Sequence, residues 1–185
     1  MDSILISTND KDEKIQKILS WLLDPILKSK DDRLNVLHIE ENRLYSTDSK
    51  RLHILKNENN EKYFNIPLGI YDVKKIKKDF LFIALENSKQ YYLNIDKVID
   101  SAFNNLGSFI TVDMDFSKDT KVYLSRALYK IYNTCPSPIN IDFINSLLGF
   151  TWTFATDKES KSENPSSVVF QCDKDMMAII MPMRN

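Results

Sequence analysis

The chain has 185 residues, 25 of them lysine or arginine and 26 aspartate or glutamate, for a formal net charge of −1, and 43% of its residues are hydrophobic. This composition fits one ordinary domain or two small ones with a substantial core, and it excludes a uniformly basic nucleic-acid binder while leaving a local basic face open. Only three glycines occur, so a glycine-rich phosphate loop, and with it a nucleotide-binding enzyme, is not expected.

Residues that commonly hold metals or form disulfides are sparse. Cys135 and Cys172 lie far apart in the sequence and neither belongs to a metal-spaced pair, so we predict reduced thiols in a cytoplasmic protein with no metal and no cofactor. His38 and His53 fall in strand-like patterns, which favours structural histidines over ligands or catalytic bases. No apolar run is long enough for a secretion signal or a membrane span, and a membrane partner is not expected.

The first half of the sequence combines short strands with one strong helical pattern. Apolar residues recur at three-and-four spacing from Ile15 to Leu27, which predicts an amphipathic helix that ends or kinks near Asp24, before Pro25. Ile70, Val73 and Ile76 predict a second, shorter helix that carries a dense group of lysines. Strands are predicted at 3–7, 34–40, 43–46, 51–56, 63–67, 80–85 and 90–95.

The second half repeats this plan in outline, with a strand at 108–112, a long helix at 118–132 and a short helix at 141–148. The first strands and long helices of the two halves are offset by roughly 105 residues, but the short helices by only roughly 70. Further strands are predicted at 151–155, 167–171 and 177–181. We therefore predict an α+β fold in which a complete unit, 1–105, and a truncated unit, 106–185, share one continuous sheet.

Two short motifs accompany this repeat: Thr-Asp-Ser-Lys-Arg-Leu at 47–52 and Ile-Ile-Met-Pro-Met-Arg at 179–184. The first resembles the Thr-Asp-Gly-His-Arg-Leu signature of the bacterial sliding clamp family, the beta subunit of DNA polymerase III, and the second resembles its C-terminal signature. Ser49 and Lys50 depart from the glycine and histidine of the family pattern, and Asn185 from its apolar last residue. The chain is also much shorter than a three-domain clamp subunit, so the resemblance is to a shortened clamp-like protein with a DNA-clamp-like fold.

The resemblance implies a non-enzymatic processivity or docking factor of DNA replication, with no catalytic residues. Clamps bind short linear motifs of DNA polymerases and repair proteins in a hydrophobic cleft, and methionines suit such a cleft because they repack around varied ligands. The alternative for the last segment is an ordinary core strand. The cleft residues that the resemblance implies are Thr47, Arg51, Leu52, Ser167, Val168, Ile179, Ile180, Met181, Pro182, Met183 and Arg184.

Clamps also hold double-stranded DNA without base readout, through basic residues on inward-facing helices that contact phosphates. A solvated helix face is the alternative explanation for such residues. The candidates for DNA contact are Lys14, Lys17, Lys74, Lys75, Lys77, Lys78, Lys121, Arg126 and Lys130.

Two other hypotheses remain open at this point. The chain could be a clamp-derived adaptor or decoy, from a phage or mobile element, that keeps the peptide cleft without encircling DNA; its truncated second unit favours this. It could also be an unrelated α+β domain, which would have no affinity for clamp-binding peptides. The sequence leaves the oligomeric state open, and a ring around DNA would require a closed oligomer.

Overall fold

The computed structural model describes residues 3–6, 13–29, 36–57, 66–86, 94–104, 106–114, 120–135, 138–158 and 166–183, with only the backbone described at 120–123. These residues form ten strands and four helices, which confirms the predicted α+β class. The chain divides into two compact units, Met1–Leu93 and Asn94–Asn185.

The first unit is an antiparallel sheet with one long helix packed against it. Its strands follow the order β1-β6-β5-β2-β3-β4, and the helix α1 contacts β2, β3, β4 and β5. In chain order the elements are β1 (Ser3–Ile6), α1 (Glu13–Lys28), β2 (Val36–Ile39), β3 (Arg43–Thr47), β4 (Arg51–Lys56), β5 (Gly69–Ile76) and β6 (Asp79–Ala84).

Helix α1 forms because its apolar residues fall on one face, and that face is buried against the sheet. Ile18, Leu19, Leu22 and Leu23 are each at most 1% exposed, and burying four such side chains stabilises the unit by roughly 1.5–3 kcal/mol for each. The predicted helix is therefore confirmed. Because single large-to-small changes in such a core cost several kcal/mol, this face fixes the position of α1 on the sheet.

Of the two outcomes predicted near Asp24, an end of the helix or a kink, the end is wrong, since α1 continues through Pro25 to Lys28. Proline has no N–H, so the carbonyl of Trp21, four residues earlier, loses its usual helical donor. The ring Nδ1 of His53 lies 2.7 Å from that carbonyl oxygen and replaces the missing donor. His53 on β4 thus pairs with the Trp21 carbonyl, which would otherwise be buried without a donor at an energetic cost.

The predicted helix over Ile70–Ile76 is also wrong, because this segment is the strand β5. Tyr71 and Val73 alternate with more exposed neighbours and are buried in the sheet, and β5 pairs with both β2 and β6. The spacing of three between Ile70, Val73 and Ile76 fits a helix, whereas a strand buries every second residue, here Tyr71 and Val73. The β-branched and aromatic side chains of this segment favour the strand. The lysines of this segment therefore lie on a β-hairpin and not on a helix.

The second unit has a four-stranded antiparallel sheet in the order β10-β9-β8-β7, together with three helices. Each strand pairs with its neighbour in regular antiparallel register. In chain order the elements are α2 (Ile95–Phe103), β7 (Ile110–Asp113), α3 (Thr120–Thr134), α4 (Ile141–Asn145), β8 (Thr151–Thr156), β9 (Val168–Cys172) and β10 (Met176–Ile180).

Helix α2 falls before the predicted unit boundary at 105 and belongs to the second compact unit. Sequence reasoning placed a strand at 90–95; residues 90–93 lie outside the described part of the chain, and Ile95 begins this helix. The signal that could have identified it is Asn94, whose side-chain oxygen accepts a hydrogen bond from the Lys97 N–H at 3.1 Å. An asparagine before an apolar run at helical spacing is a typical N-cap.

The core of the second unit is aromatic. Trp152, Phe154 and Phe170 are completely buried, and Trp152 donates its indole N–H to the carbonyl of Leu147 at 2.8 Å. Edge-to-face and stacked ring contacts join the three side chains. Such ring contacts stabilise the core beyond the burial of apolar area alone. They therefore hold in place the sheet that contains β10.

The predicted repeat is confirmed in part. Each unit contains a short strand followed by a long helix, β1 with α1 and β7 with α3, as expected. The paired short helices are not both present, because α4 is a helix whereas the segment at 70–76 is the strand β5. The comparison of offsets that used both short helices therefore does not hold.

Candidate functional site

The turn between β3 and β4 contains the first signature motif and is held by its own side chains. Thr47 Oγ1 accepts a hydrogen bond from the Ser49 N–H at 3.1 Å and donates to the Arg51 carbonyl at 2.8 Å. Asp48 Oδ1 accepts from the Lys50 and Arg51 N–H groups at 3.1 Å and 2.9 Å. A threonine and an aspartate that bind the backbone ahead of them stabilise a tight turn, so the motif defines one fixed turn conformation.

Arg51 is only 3% exposed and anchors this turn to α1 through two carboxylates. Its guanidinium pairs with Asp48 at 2.8 Å and with Asp24, and Lys28 also pairs with Asp24 at 2.7 Å. A buried guanidinium requires such partners, because an uncompensated charge would be costly to bury. The structure therefore gives Arg51 a structural role that the sequence did not reveal, because Asp24 is 27 residues away.

Ser49 occupies the position of the glycine in the family signature and has a φ of 70°. This left-handed conformation costs a residue with a Cβ about 1–2 kcal/mol, whereas glycine adopts it freely. A glycine would therefore fit this position of the turn without strain, and serine occupies it at an energetic cost.

Replacing Ser49 by glycine is expected to raise the free energy of unfolding by about 0.5–1 kcal/mol, which is the relief of strain less the greater chain entropy of glycine. Chemical denaturation measures this change. Ser49→Ala is the matched control, since it removes the hydroxyl but keeps the Cβ and should leave stability almost unchanged. Equal stability of the glycine and alanine variants would refute the strain argument.

The second signature motif lies at the end of β10, where the side chains change from buried to exposed within a few residues. Val168, Ile179 and Ile180 are at most 2% exposed and belong to the core. Met181 and Met183 then expose 43% and 46% of their surfaces. Ser167 and Pro182 are half-buried, while Arg184 lies outside the described residues.

The exposed methionines do not belong to a frayed end within the described chain. The Met183 N–H donates to the Pro138 carbonyl at 2.9 Å, and the Tyr132 hydroxyl donates to the Ile139 carbonyl at 3.1 Å. Tyr132 on α3 thus holds the segment Pro138–Ile139, and Pro138 in turn holds the backbone of Met183. Sequence reasoning missed Tyr132 and Pro138, because no local pattern relates them to the last strand.

The basic candidates for DNA contact occur on three different elements. Lys14 and Lys17 are exposed on α1, Arg126 and Lys130 are exposed on α3, and Lys121 is on α3 with an undescribed side chain. The remaining four are exposed around the turn of the β5–β6 hairpin: Lys74, Lys75, Lys77 and Lys78. The helical position expected for these four is wrong, as described above.

Both histidines are buried in the sheet of the first unit, and burial in each case lowers the pKa to about 4. His53 stacks on Trp21 and His38 stacks on Tyr45. Neutral imidazoles packed in this way have the structural role that the sequence predicted. Because the Trp21 carbonyl can only accept, Nδ1 of His53 carries the ring proton.

The two cysteines and the potential metal ligands are further reactive groups of the sequence. Cys135 and Cys172 are buried and form no disulfide, and burial raises the pKa of Cys135 to about 12, which leaves it a poor nucleophile. Across the described residues, no three histidine, cysteine or acidic side chains are grouped so that they could bind a metal ion. None of the described helices has the length and apolar character needed to cross a membrane.

Comparisons with known proteins identify a fold but no close relative in sequence. No family model and no curated protein matches the sequence significantly. Solved structures match over nearly the whole chain. They include a DNA polymerase III beta chain from Streptococcus pneumoniae TIGR4, with a TM-score of 0.55, 12% identity, and coverage of 100% of this chain and 65% of that one.

Two further structures agree with this result. A putative DNA polymerase III beta subunit from Eubacterium rectale has a TM-score of 0.54 at 12% identity and is matched over 99% of this chain and 65% of its own. The DNA polymerase sliding clamp from Pseudomonas aeruginosa has a TM-score of 0.53 at 11% identity, with 99% and 67% coverage. This chain thus spans about two thirds of the length of these proteins.

The fold is therefore that of the bacterial DNA sliding clamps. The predicted resemblance to DNA polymerase III beta subunits, as a shortened clamp-like chain, is confirmed as a likeness of fold at 11–12% identity in these examples.

Proposed function

We propose that this chain is a non-enzymatic, clamp-like docking factor of DNA replication that binds short linear peptides of polymerases and repair proteins. The observation that carries the proposal is the exposed Met181–Met183 segment, which follows the buried strand β10 in a chain with the sliding-clamp fold. Exposed apolar groups next to a rigid core strand are typical of an interaction site.

The physical properties of this segment support peptide binding. Methionine side chains are flexible and polarisable and can adapt to different apolar anchors, while Pro182 between them restricts the backbone. The hydrogen bond from Met183 to Pro138 holds the segment in place before a ligand arrives. A site that is already ordered loses less entropy on binding, which favours affinity.

In this proposal the first signature motif acts mainly through the conformation of its own turn. Thr47, Arg51 and Leu52 are buried, so in this proposal they set the conformation of the turn. Ser49 and Lys50 are the exposed residues of the turn and are the ones available to a ligand. Lys50 would add a positive charge where the clamp signature has histidine.

Replacing Met181 by alanine is expected to weaken binding of a clamp-binding peptide by about tenfold or more, because a few apolar anchors contribute most of the binding energy. Isothermal titration calorimetry with a polymerase-derived peptide measures the affinity. Leu68→Ala is the matched control, since Leu68 is 53% exposed in the first unit and lies outside both motifs. An unchanged peptide affinity of Met181→Ala would contradict the assignment of the Met181–Met183 segment to the peptide site.

Contact with double-stranded DNA is the second part of the proposal, and it would use the exposed basic residues of α1, α3 and the β5–β6 hairpin. Such binding would depend on phosphates and fall steeply with salt. A charge reversal on each element, Lys17→Glu, Arg126→Glu and Lys77→Glu, would identify the elements that participate. The element that contacts DNA should show a reduced salt dependence when its charge is reversed.

A clamp-derived adaptor that does not encircle DNA is a second candidate function. Such an adaptor would need the peptide site but no ring around DNA. Light scattering on a sizing column separates the candidates, because a ring requires a closed symmetric oligomer. A trimer or larger closed assembly would support the ring, and a monomer that still binds the peptide would support the adaptor.

A further inference from the structure

One face of α3 combines positive charge with an exposed aromatic ring. Arg126, Tyr129, Lys130 and Asn133 are all exposed, and their spacing of three and four residues places them side by side on the helix. Ala127 and Ile131 are at most 3% exposed on the opposite side. Because α3 contacts β7, the buried side is the one that holds the helix to its unit, and the basic face points away from the core.

The charge of this face is unbalanced along the helix. Among its 15 residues α3 has two lysines and one arginine and no aspartate or glutamate, whereas the whole chain has a net charge of −1. The Lys130 ammonium is held 2.6 Å from the Thr111 carbonyl, which satisfies one of its three donors and leaves its charge in place. The face is thus complementary to a polyanion.

Tyr129 adds an exposed aromatic ring to the basic residues of this face. It is 74% exposed, although a tyrosine ring normally buries much of its surface. Its backbone carbonyl accepts a hydrogen bond from the Asn133 side-chain amide at 2.8 Å, so the Asn133 side chain is held beside Tyr129 on the helix. An aromatic ring held between cationic side chains is the arrangement on which unpaired bases stack while their phosphates meet the charges.

We propose that the Arg126–Tyr129–Lys130–Asn133 face of α3 binds single-stranded DNA, with a base stacked on Tyr129 and phosphates on Arg126 and Lys130. Stacking selects the single strand, because the bases of a duplex have no free face to offer. The inference rests on the proposed function in DNA replication and extends it to the unpaired strand. It does not require the peptide site.

The test is fluorescence anisotropy of the full chain with a labelled oligothymidylate of ~20 nucleotides and with a duplex of the same length. The Tyr129→Ala variant is expected to bind the single strand about tenfold more weakly and to bind the duplex as the wild type does. Tyr129→Phe, which keeps the ring, should retain the affinity for the single strand. Ile141→Ala, at another exposed apolar side chain (47% exposed), is the matched control and should have no effect.

Three results with the variants would overturn the inference: unchanged single-strand affinity in Tyr129→Ala, an equal loss in Tyr129→Phe, or an equal loss on the duplex. Two results with the wild type would also overturn it. Duplex binding by the wild type with no single-strand binding would refute this inference and leave the proposed duplex contact intact. No binding to either DNA would refute both DNA proposals, and the peptide titration would still test the docking function separately. Circular dichroism confirms that each variant is folded, which the exposure of Tyr129 leads us to expect.

Discussion

Replacing Arg51 by alanine is expected to lower the free energy of unfolding by about 3–5 kcal/mol, because the change leaves two carboxylates without their shared buried cation. Arg51 pairs with Asp24 on α1 and Asp48 in the turn, and its side chain is 3% exposed. The same guanidinium therefore joins the helix to the turn. Urea denaturation followed by circular dichroism measures the loss.

Lys28→Ala is the matched control for this prediction. Lys28 pairs with the same carboxylate, Asp24, but its side chain is 54% exposed, and an exposed ion pair contributes only about 0–1 kcal/mol. Each variant thus removes one cation from Asp24, a buried cation in Arg51→Ala and an exposed one in Lys28→Ala. If Arg51→Ala were as stable as Lys28→Ala, the structural role of Arg51 would be wrong.

The structural role of Arg51 also affects how its contribution to the proposed peptide site can be tested. Arg51 was assigned to the cleft from the signature motif, and a loss of peptide binding in Arg51→Ala would not by itself show direct contact. Lys50→Ala changes an exposed residue of the same turn and should leave stability nearly unchanged. Reduced peptide affinity in that variant would support contact between the turn and the ligand.

The second large effect is expected on acidification. Burial lowers the pKa of His53 to about 4 from an ordinary value of 6.5, so between these two values the unfolded chain binds a proton that the folded chain does not. Stability is therefore fully present above pH 6.5 and is lost as the pH falls towards 4. The difference in pKa corresponds to a contribution on the order of 3 kcal/mol, and His38 acts in the same direction.

The measurement is the free energy of unfolding at a series of pH values between 7 and 4. His53→Asn is the informative variant, because the asparagine amide can donate to the Trp21 carbonyl but does not titrate. It should show a shallower decline of stability with falling pH than the wild type. A wild-type stability that stays constant from pH 7 to 5 would contradict the assignment of two buried neutral histidines.

Much of the fold could be predicted from local pattern. The apolar periodicity of α1 and α3, the strands of the β3–β4 hairpin and the last strands all follow from side chains whose spacing matches a buried face. The two signature motifs predicted a clamp-like fold, which the comparison of structures supports. One error arose because Ile70, Val73 and Ile76 have the spacing of a helix, whereas the residues that the strand buries are Tyr71 and Val73.

The partners of individual side chains could not be predicted, because they depend on residues distant in sequence. Arg51 meets Asp24 across 27 positions and His53 meets Trp21 across 32. The proline in α1 looked like a terminator, and only the sheet beside it supplies the donor that lets the helix continue. Such contacts form when packing brings elements together, and local propensity contains no information about them.

The sequence by itself determined the α+β class, the amphipathic helices and the clamp-like motifs, because these depend on the order of apolar, polar and turn-forming residues. Only the tertiary structure decided which motif residues are available to a ligand. It buries Thr47, Arg51 and Leu52 and exposes Met181 and Met183. The physical reason is that the exposure of a residue depends on the side chains that pack against it, and many of these come from distant parts of the sequence. A local sequence pattern gives no information about them.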